Sequence, residues 1–413
     1  MTAISFIISL IVLVWGYSTL WARWTEGQIG LGLHIEEERV TEGEPATLVL
    51  TLENRSWLPI PWLELSQDMP KGVAVEVDDE WQDGIVYRTF LLPRQRLHRR
   101  YRIKSTRGPH KFDRAEVTYG EGLGLKDLFE FIYSDGTFTV RPRLLNEQEL
   151  AIPLPELIGE KSILRWYAED TSRMLGTRSY QMGDPYKHIH WAATARTGQL
   201  MVKQFETTSE TDFLVLINGQ FFNPFWSGTK RKVVDLQCRL AATLFAYAER
   251  EGYTYGLYSN ASWTGLGGLT VAPDRSPLHF EAMMTALAGL ISRASSPFAE
   301  HLMGLRGRMK PGSTVVLMTA YWDAEIALAI EHLRGEGHHL VLIAFGDFGT
   351  RLNGLSPAVP VIPYQLDAEE DVAELEDDEG AEDDQAKRQQ QATRLEAAAA
   401  EETQPTEQRG RGA

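Results

Sequence analysis

The stretch FLVLINGQFFNPFWSGTKRKVVDLQCRLAATLFAYAERE, residues 213–251, decides the architecture of the chain's second half. Phe213 to Ile217 is an unbroken apolar run between polar flanks, as suits a strand covered on both faces. Lys230 to Glu251 then spaces Val233, Leu236, Leu240 and Leu244 by three and four, the period of one helix face. Cys238, the single cysteine, shares that stripe and reads as a buried thiol. Downstream, strand patterns at Tyr253 to Tyr258, Leu269 to Ala272, Ser313 to Met318 and Leu340 to Ala344 alternate with helical ones. The helical patterns are Leu278 to Ser292, Pro297 to Arg306 and Ala324 to Arg334. Such alternation predicts a doubly wound α/β sheet with mostly parallel strands, in a domain spanning 178–365.

Toward the N-terminus the period changes to two. Leu48, Leu50 and Leu52 alternate with Thr47, Val49 and Thr51, and Val73, Val75 and Val77 follow the same rule. Pro59, Pro61, Pro70, Gly72 and Gly108-Pro109 punctuate these short runs, so residues 30–142 read as an immunoglobulin-like β-sandwich, with 143–177 as a linker. Arg94, Arg96, Arg99, Arg100, Arg102, Lys104 and Arg107 form a basic run, which suits either a solvated strand face or contact with anionic lipid.

Residues 1–24 read as a transmembrane anchor. Met1 to Ala22 carries no charged side chain, and at about 1.5 Å per residue such a helix reaches about 33 Å, enough to cross the hydrocarbon core. Trp15, Tyr17, Trp21 and Trp24 gather where headgroups favour aromatic rings, and Arg23 beside them places the soluble domains on the cytoplasmic side of a single-pass cell-membrane protein.

The formal charge of −16 is concentrated at the other end, where Asp367 to Ala413 holds 16 acidic and 5 basic side chains. Residues 366–413 therefore read as a disordered acidic tail. The rest of the chain is only about −5, and an acidic balance of this kind gives no net electrostatic footprint for phosphate contacts, which sets nucleic acid aside as a partner. The expected fold class is α+β multidomain: anchor, sandwich, α/β domain and tail.

From Arg178 to Glu206 the chain reads RSYQMGDPYKHIHWAATARTGQLMVKQFE. Arg178, Tyr180, Gly183, Asp184, Lys187, Ile189, Trp191, Ala195, Arg196, Leu200, Val202, Lys203 and Glu206 stand at the spacing of the domain of unknown function 58 (DUF58) signature, and the chain resembles that family. Gly122-Leu-Gly-Leu-Lys-Asp-Leu-Phe129 and Arg141-Pro-Arg143 are similar to its membrane-proximal half. Family members commonly begin with two close transmembrane helices, whereas one is visible here.

The resemblance implies a von Willebrand factor A-like C-terminal half, a fold whose metal site uses Asp-x-Ser-x-Ser after the first strand. Here Asn218, Gln220 and Phe222 occupy those positions, with Thr319 and Ala320 after a later strand. An amide, a phenyl ring and a methyl group do not supply the anionic oxygens that hard cations need, so no metal and no cofactor is expected. His188 and His190 would share a face on an extended strand, without a carboxylate or cysteine nearby to complete a metal set. Gly265-Leu-Gly-Gly268 lacks the context of a phosphate loop and reads as a hairpin turn.

In the signature, Arg178, Arg196 and Lys203 with Asp184 and Glu206 around Tyr180 and Trp191 suit either an internal fastening or a docking surface. No nucleophile elbow, Walker loop or zinc-protease motif is present. The expectation is a non-enzymatic scaffold, and the resemblance implies a MoxR-type AAA+ ATPase as its partner, in envelope-related assembly or protein maturation. Two alternatives stand beside it: an enzyme using Asp184 or Glu206 with Lys203, and a divalent-cation-dependent adhesin.

Overall fold

In a computed structural model, residues 2–146, 149–150, 169–181, 186–207, 212–264, 266–346 and 352–366 are described. The acidic tail from residue 367, and Gly183 and Asp184 of the signature, lie outside them.

Helix α1 (Thr2–Thr25) is long and apolar enough to cross a membrane. It leads into β1 (Ile29–Ile35), β2 (Val40–Thr41), β3 (Ala46–Asn54), β4 (Ile60–Asp68), β5 (Val73–Val77) and β6 (Glu80–Gln82). There follow β7 (Gly84–Leu91), β8 (Arg96–Ser105), β9 (Gly108–Lys111), β10 (Arg114–Gly120), β11 (Asp127–Tyr133) and β12 (Thr137–Arg141). One sheet runs β1-β3-β8-β5-β6, a second runs β11-β10-β4-β7, and β2-β12-β9 forms a third. The two-residue period appears as Leu48, Leu50 and Leu52 on one strand and Leu63 and Leu65 on another, buried against Ile103, Val117 and Tyr119 in a single core. Each such side chain contributes about 1.5–3 kcal/mol by leaving water.

The second half differs from its sequence pattern in instructive ways. The expected linker overlaps β13 (Glu169–Ser179), which pairs antiparallel with β14 (Met201–Thr207) in a sheet of its own. Between them lies the short helix α2 (Trp191–Thr197). Then come β15 (Phe213–Ile217), α3 (Arg231–Glu251), β16 (Tyr255–Trp263), β17 (Leu266–Asp274), α4 (His279–Ala288), β18 (Leu290–Ala294) and α5 (Phe298–Gly304). The body closes with β19 (Thr314–Thr319), α6 (Ala324–Gly335), β20 (His339–Phe345) and β21 (Val361–Tyr364).

The sheet order is β17-β16-β15-β19-β20-β21, with β18 joined to β16. Pairings β15–β16, β15–β19, β19–β20 and β20–β21 are parallel, while β17 and β18 run antiparallel to β16. All five side chains of β15 are buried. Val215 and Ile217 face a core with α3 and α4, whereas Leu214 and Leu216 face one with α5 and α6, so helices cover both faces.

The single helix expected over Leu278 to Ser292 is two elements. Gly289 ends α4 where a Cβ would fall 2.3 Å from Trp263 Nε1, and the chain turns there into β18. Of the hairpin turn expected at 265–268, Gly265 lies outside the described residues, whereas Leu266, Gly267 and Gly268 lie within β17, with Trp263 opposite Leu266.

Candidate docking surface and sheet edge

The signature folds as a hairpin closed by α2. Backbone bonds from Tyr180 N to Leu200 O (2.8 Å) and from His190 N to Met201 O (2.8 Å) zip it together, and Ile189, Ala193 and Val202 form its small buried centre. His190 caps α2, its Nδ1 accepting from Ala193 N at 3.0 Å, and Gly198 in the left-handed region ends it. The ring nitrogen of His190 thus serves the helix. His188 ends a 3-10 turn (Tyr186–His188), so the extended strand on which the two histidines would share a face is not formed there.

Nor does one polar cluster gather all the signature residues. Arg178 lies opposite Val202 and Lys203 opposite Thr177, so the two cations take opposite faces of the hairpin. Arg178 Nη1 donates to Ser179 O at 3.2 Å and Arg196 Nε to Ala192 O at 3.2 Å. Tyr180 stacks on Tyr186 with centroids 6.2 Å apart. Glu206 lies on β14 opposite Asp170. Among the described residues, the unit turns outward large apolar and basic side chains together with Ser179, Gln181, Thr197 and Gln199. Tyr186 is 77% exposed, Trp191 68% and Leu200 44%, with Lys187, Ala195 and Arg196 exposed among them.

At the carboxyl edge of the large sheet, neutral groups join the ends of β15 and β19, with Asp323 and Glu325 lining a cavity beside Gln220. Asn218 Nδ2 donates to Thr319 Oγ1 at 2.8 Å, and Asn218 Oδ1 accepts from Gln220 N at 2.8 Å. Gln220 Oε1 accepts from Phe298 N (2.8 Å), and its Nε2 donates to Phe222 O (3.1 Å). Asn260, which sequence reasoning missed, accepts from Gly219 N and donates to Ser296 O. Phe222 and Ala320 pack against the core beneath.

These amide oxygens face backbone N–H groups of their own edge, an arrangement that ties β15, β16 and β19 together. Among the described residues, no group of three or more His, Cys, Asp or Glu is placed to hold a metal. The Thr319 hydroxyl also accepts from Tyr321 N (3.1 Å) and donates to Tyr321 O (2.6 Å). Thr319→Val is therefore expected to lower stability by about 1–3 kcal/mol, read as a shift in the denaturant midpoint, because it strands buried donors. An unchanged midpoint would show that the network is dispensable.

A second site that sequence reasoning missed joins the two bodies. Arg107, read as part of the surface basic run, is 2% exposed. It pairs with Asp235 of α3 at 2.6 Å, and its Nη1 donates to the carbonyls of Leu287 (2.8 Å) and Leu290 (2.6 Å). Burial opposes its charge, but Cys238, Asp235 and Glu42 outweigh burial and hold its pKa above the ordinary value. Glu42 accepts from Nε and Nη2 of Arg239, each at 2.8 Å, and Arg141 reaches Glu281 at 2.6 Å. The members of the run on β8 form a paired outer face: Arg96 with Glu53, Arg100 with Glu36, Arg102 with Glu76, Arg99 on Tyr87 and Lys104 over Trp81.

These groups set an acid sensitivity. Burial pushes the Glu42 carboxyl up, yet the bonds and charge of Arg239 and Arg107 more than offset this and leave it below the usual carboxylate range. Glu149 is held down to about 2 by Arg143. Burial lowers His301 from 6.5 to about 4. Between pH 6.5 and 4 the unfolded chain binds a proton at His301 that the folded one refuses, so stability falls as pH drops through that window. Glu42 and Glu149 then lose their contribution below about 4.5, while Asp235, raised by burial, works in the opposite sense. Thermal denaturation across this range should show a falling midpoint, and His301→Phe should make the fall between pH 6.5 and 4 shallower, the remainder coming from His110, His338 and His339, which burial also lowers. Equal slopes for both proteins would refute the assignment to His301.

Among curated proteins, the uncharacterized protein YeaD of Bacillus subtilis (strain 168) is 20% identical over 275 residues, covering 65% of this chain and 64% of that protein. The chain thus spans less than two thirds of that relative's length. Among solved structures, the conserved hypothetical protein BatB from Bacteroides thetaiotaomicron aligns at 11% identity and a TM-score of 0.24, over 33% of this chain and 67% of that one. A PapD-like domain of human CEP192 aligns at 16% identity and a TM-score of 0.18, over 26% and 83%. Likenesses this low bear on neither fold nor function. The match that bears on family begins inside β13 and takes in α2, β14 and the large sheet through β20: residues 176–347 fit the family model described as protein of unknown function DUF58.

Proposed function

We propose that this chain is a membrane-anchored, non-enzymatic docking protein, with an immunoglobulin-like sandwich, a von Willebrand factor A-like α/β body and a hairpin surface that receives a protein partner. The observation that carries this reading is the outward set of Tyr186, Trp191 and Leu200 beside Lys187 and Arg196. Large apolar side chains left in water cost solvation free energy, and tyrosine, tryptophan and arginine are enriched at interface centres. The basic residues suit an acidic partner surface. The helices on both faces of a parallel-centred sheet support the von Willebrand factor A-like reading, and its amide-closed edge supports adhesion independent of a cation.

The partner is a MoxR-type AAA+ ATPase, in envelope-related assembly or protein maturation, and the docking body lies on the cytoplasmic side, as Arg23 after the apolar helix favours. Purification of the detergent-solubilised full chain should bring down such an ATPase, and less of it from the Arg196→Ala variant. Recovery of the chain without any ATPase, from cells that express one, would refute the partner.

A further inference from the structure

Helix α1 does not hang from the sandwich by a flexible tether; its last turns are built into it. Ser18, Trp21, Ala22 and Thr25 form a buried stripe. Ser18 Oγ donates to Glu121 Oε1 at 3.2 Å and Trp21 Nε1 to Pro59 O at 2.9 Å, while the Tyr119 hydroxyl, which donates to Glu130 Oε1, lies 3.2 Å from Thr25 O. On the opposite side, at the same height along the helix, Tyr17, Leu20 and Trp24 are 45%, 58% and 59% exposed. The apolar surface of α1 therefore continues alongside the sandwich.

Three loops meet α1 at this end, because Gly120 pairs with Trp62, Ile60 with Leu91, and Arg94 N donates to Ser56 O. They carry exposed Trp57 (70%), Leu92 (54%), Leu123 (58%) and Leu125 (57%), with the Arg94 guanidinium 4.6 Å from the Trp57 ring centroid and Lys126 exposed. Glu121 fixes the third loop. The oxygen that accepts from Ser18 also accepts from Leu125 N (2.9 Å) and Lys126 N (3.0 Å), so amides that would otherwise need water are satisfied while both leucines point outward.

We infer that this end of the sandwich is a bilayer-contacting surface. Leu123 and Leu125 enter the boundary between acyl chains and headgroups, and Trp57 with Arg94 lies among the phosphates. The height follows from Ser18, which sits between the aromatic side chains at 15 and 17 and the one at 24, and such rings favour the headgroup layer. A loop bonded to Ser18 shares that layer. Aromatic and aliphatic side chains with interspersed lysine and arginine are what that layer accepts, and its backbone must come already satisfied. The α/β body docks at the opposite end, through Glu42, Arg107 and Arg141, so a ten-residue strand such as β8, about 33 Å long, separates the docking hairpin's body from the lipid. This inference rests on α1 being a membrane anchor, and the test separates the two.

The full chain is reconstituted into vesicles of mixed zwitterionic and anionic phospholipid, with an environment-sensitive fluorophore on Leu123→Cys, Leu125→Cys, Ile8→Cys or Glu300→Cys. Cys238 is fully buried and stays unlabelled. At 123 or 125 the emission should shift to the blue and be quenched by a nitroxide high on the acyl chain. At 8 a nitroxide near the chain end should quench, and at 300 neither should. Quenching at 8 with none at 123 and 125 overturns the inference and leaves the anchor standing. No quenching at 8 removes the anchor and the inference with it.

Discussion

Arg107→Met should lower the unfolding free energy by about 3–5 kcal/mol, the cost of removing one partner from a buried ion pair. Against a total of about 5–15 kcal/mol for a typical domain this is a large loss. The side chain is 2% exposed and serves Asp235 and the carbonyls of Leu287 and Leu290 together, so its removal strands a buried carboxylate and two acceptors where the bodies meet. The second variant of the cycle, Arg107→Met with Asp235→Leu, should recover much of the loss because the orphaned charge is gone, though not the two carbonyls. Denaturant unfolding of the solubilised chain would also become less cooperative, with the sandwich and α/β body separating into two transitions. An unchanged midpoint for Arg107→Met would mean that the pair does not fasten the bodies.

The second large effect concerns binding. Trp191→Ala should weaken the proposed partner complex by about 2 kcal/mol or more, roughly 30-fold in Kd, as expected for an aromatic residue at an interface centre. Because Trp191 is 68% exposed in the free chain, thermal stability should hardly move. Tyr186→Ala should act in the same direction, and the two losses should not add, since the rings would share one partner surface. Interferometry with the purified ATPase reads the affinity, and calorimetry reads the stability. A loss of stability equal to the loss of affinity would mean that the indole is a structural element instead.

Much of the scaffold is legible in the sequence because its signals are periodic. The five apolar residues of β15 and the three-and-four spacing of α3 leave few alternatives, and the period of two marks β3 and β5. Asn218, Gln220 and Thr319 are also legible, since positions at or just beyond the ends of two buried strands lie at the sheet's carboxyl edge. Asn260 is not, because it lies inside β16 rather than after it.

Arg107 was obscured by its company. Six basic residues precede it within a short stretch, and those on β8 are solvated and paired as such runs usually are. A signal existed on the other side of the contact: Asp235 stands three residues before Cys238 on the buried stripe of α3, and a carboxylate there requires a cation. The α4–β18 break turned on Gly289 alone, since apolar residues continue on both sides of it. The signature residues were legible as a set, but their distribution over two faces of a hairpin depends on register, which only the pairing of Arg178 with Val202 reveals.

The central claim, that the hairpin is where a partner binds, is tested most directly by placing a photo-crosslinking amino acid at position 191 in living cells. The expected product is a covalent adduct with an AAA+ ATPase that weakens when Arg196→Ala is combined with it. Adducts that never contain an ATPase, while the same probe placed elsewhere on the chain captures one, would contradict the account.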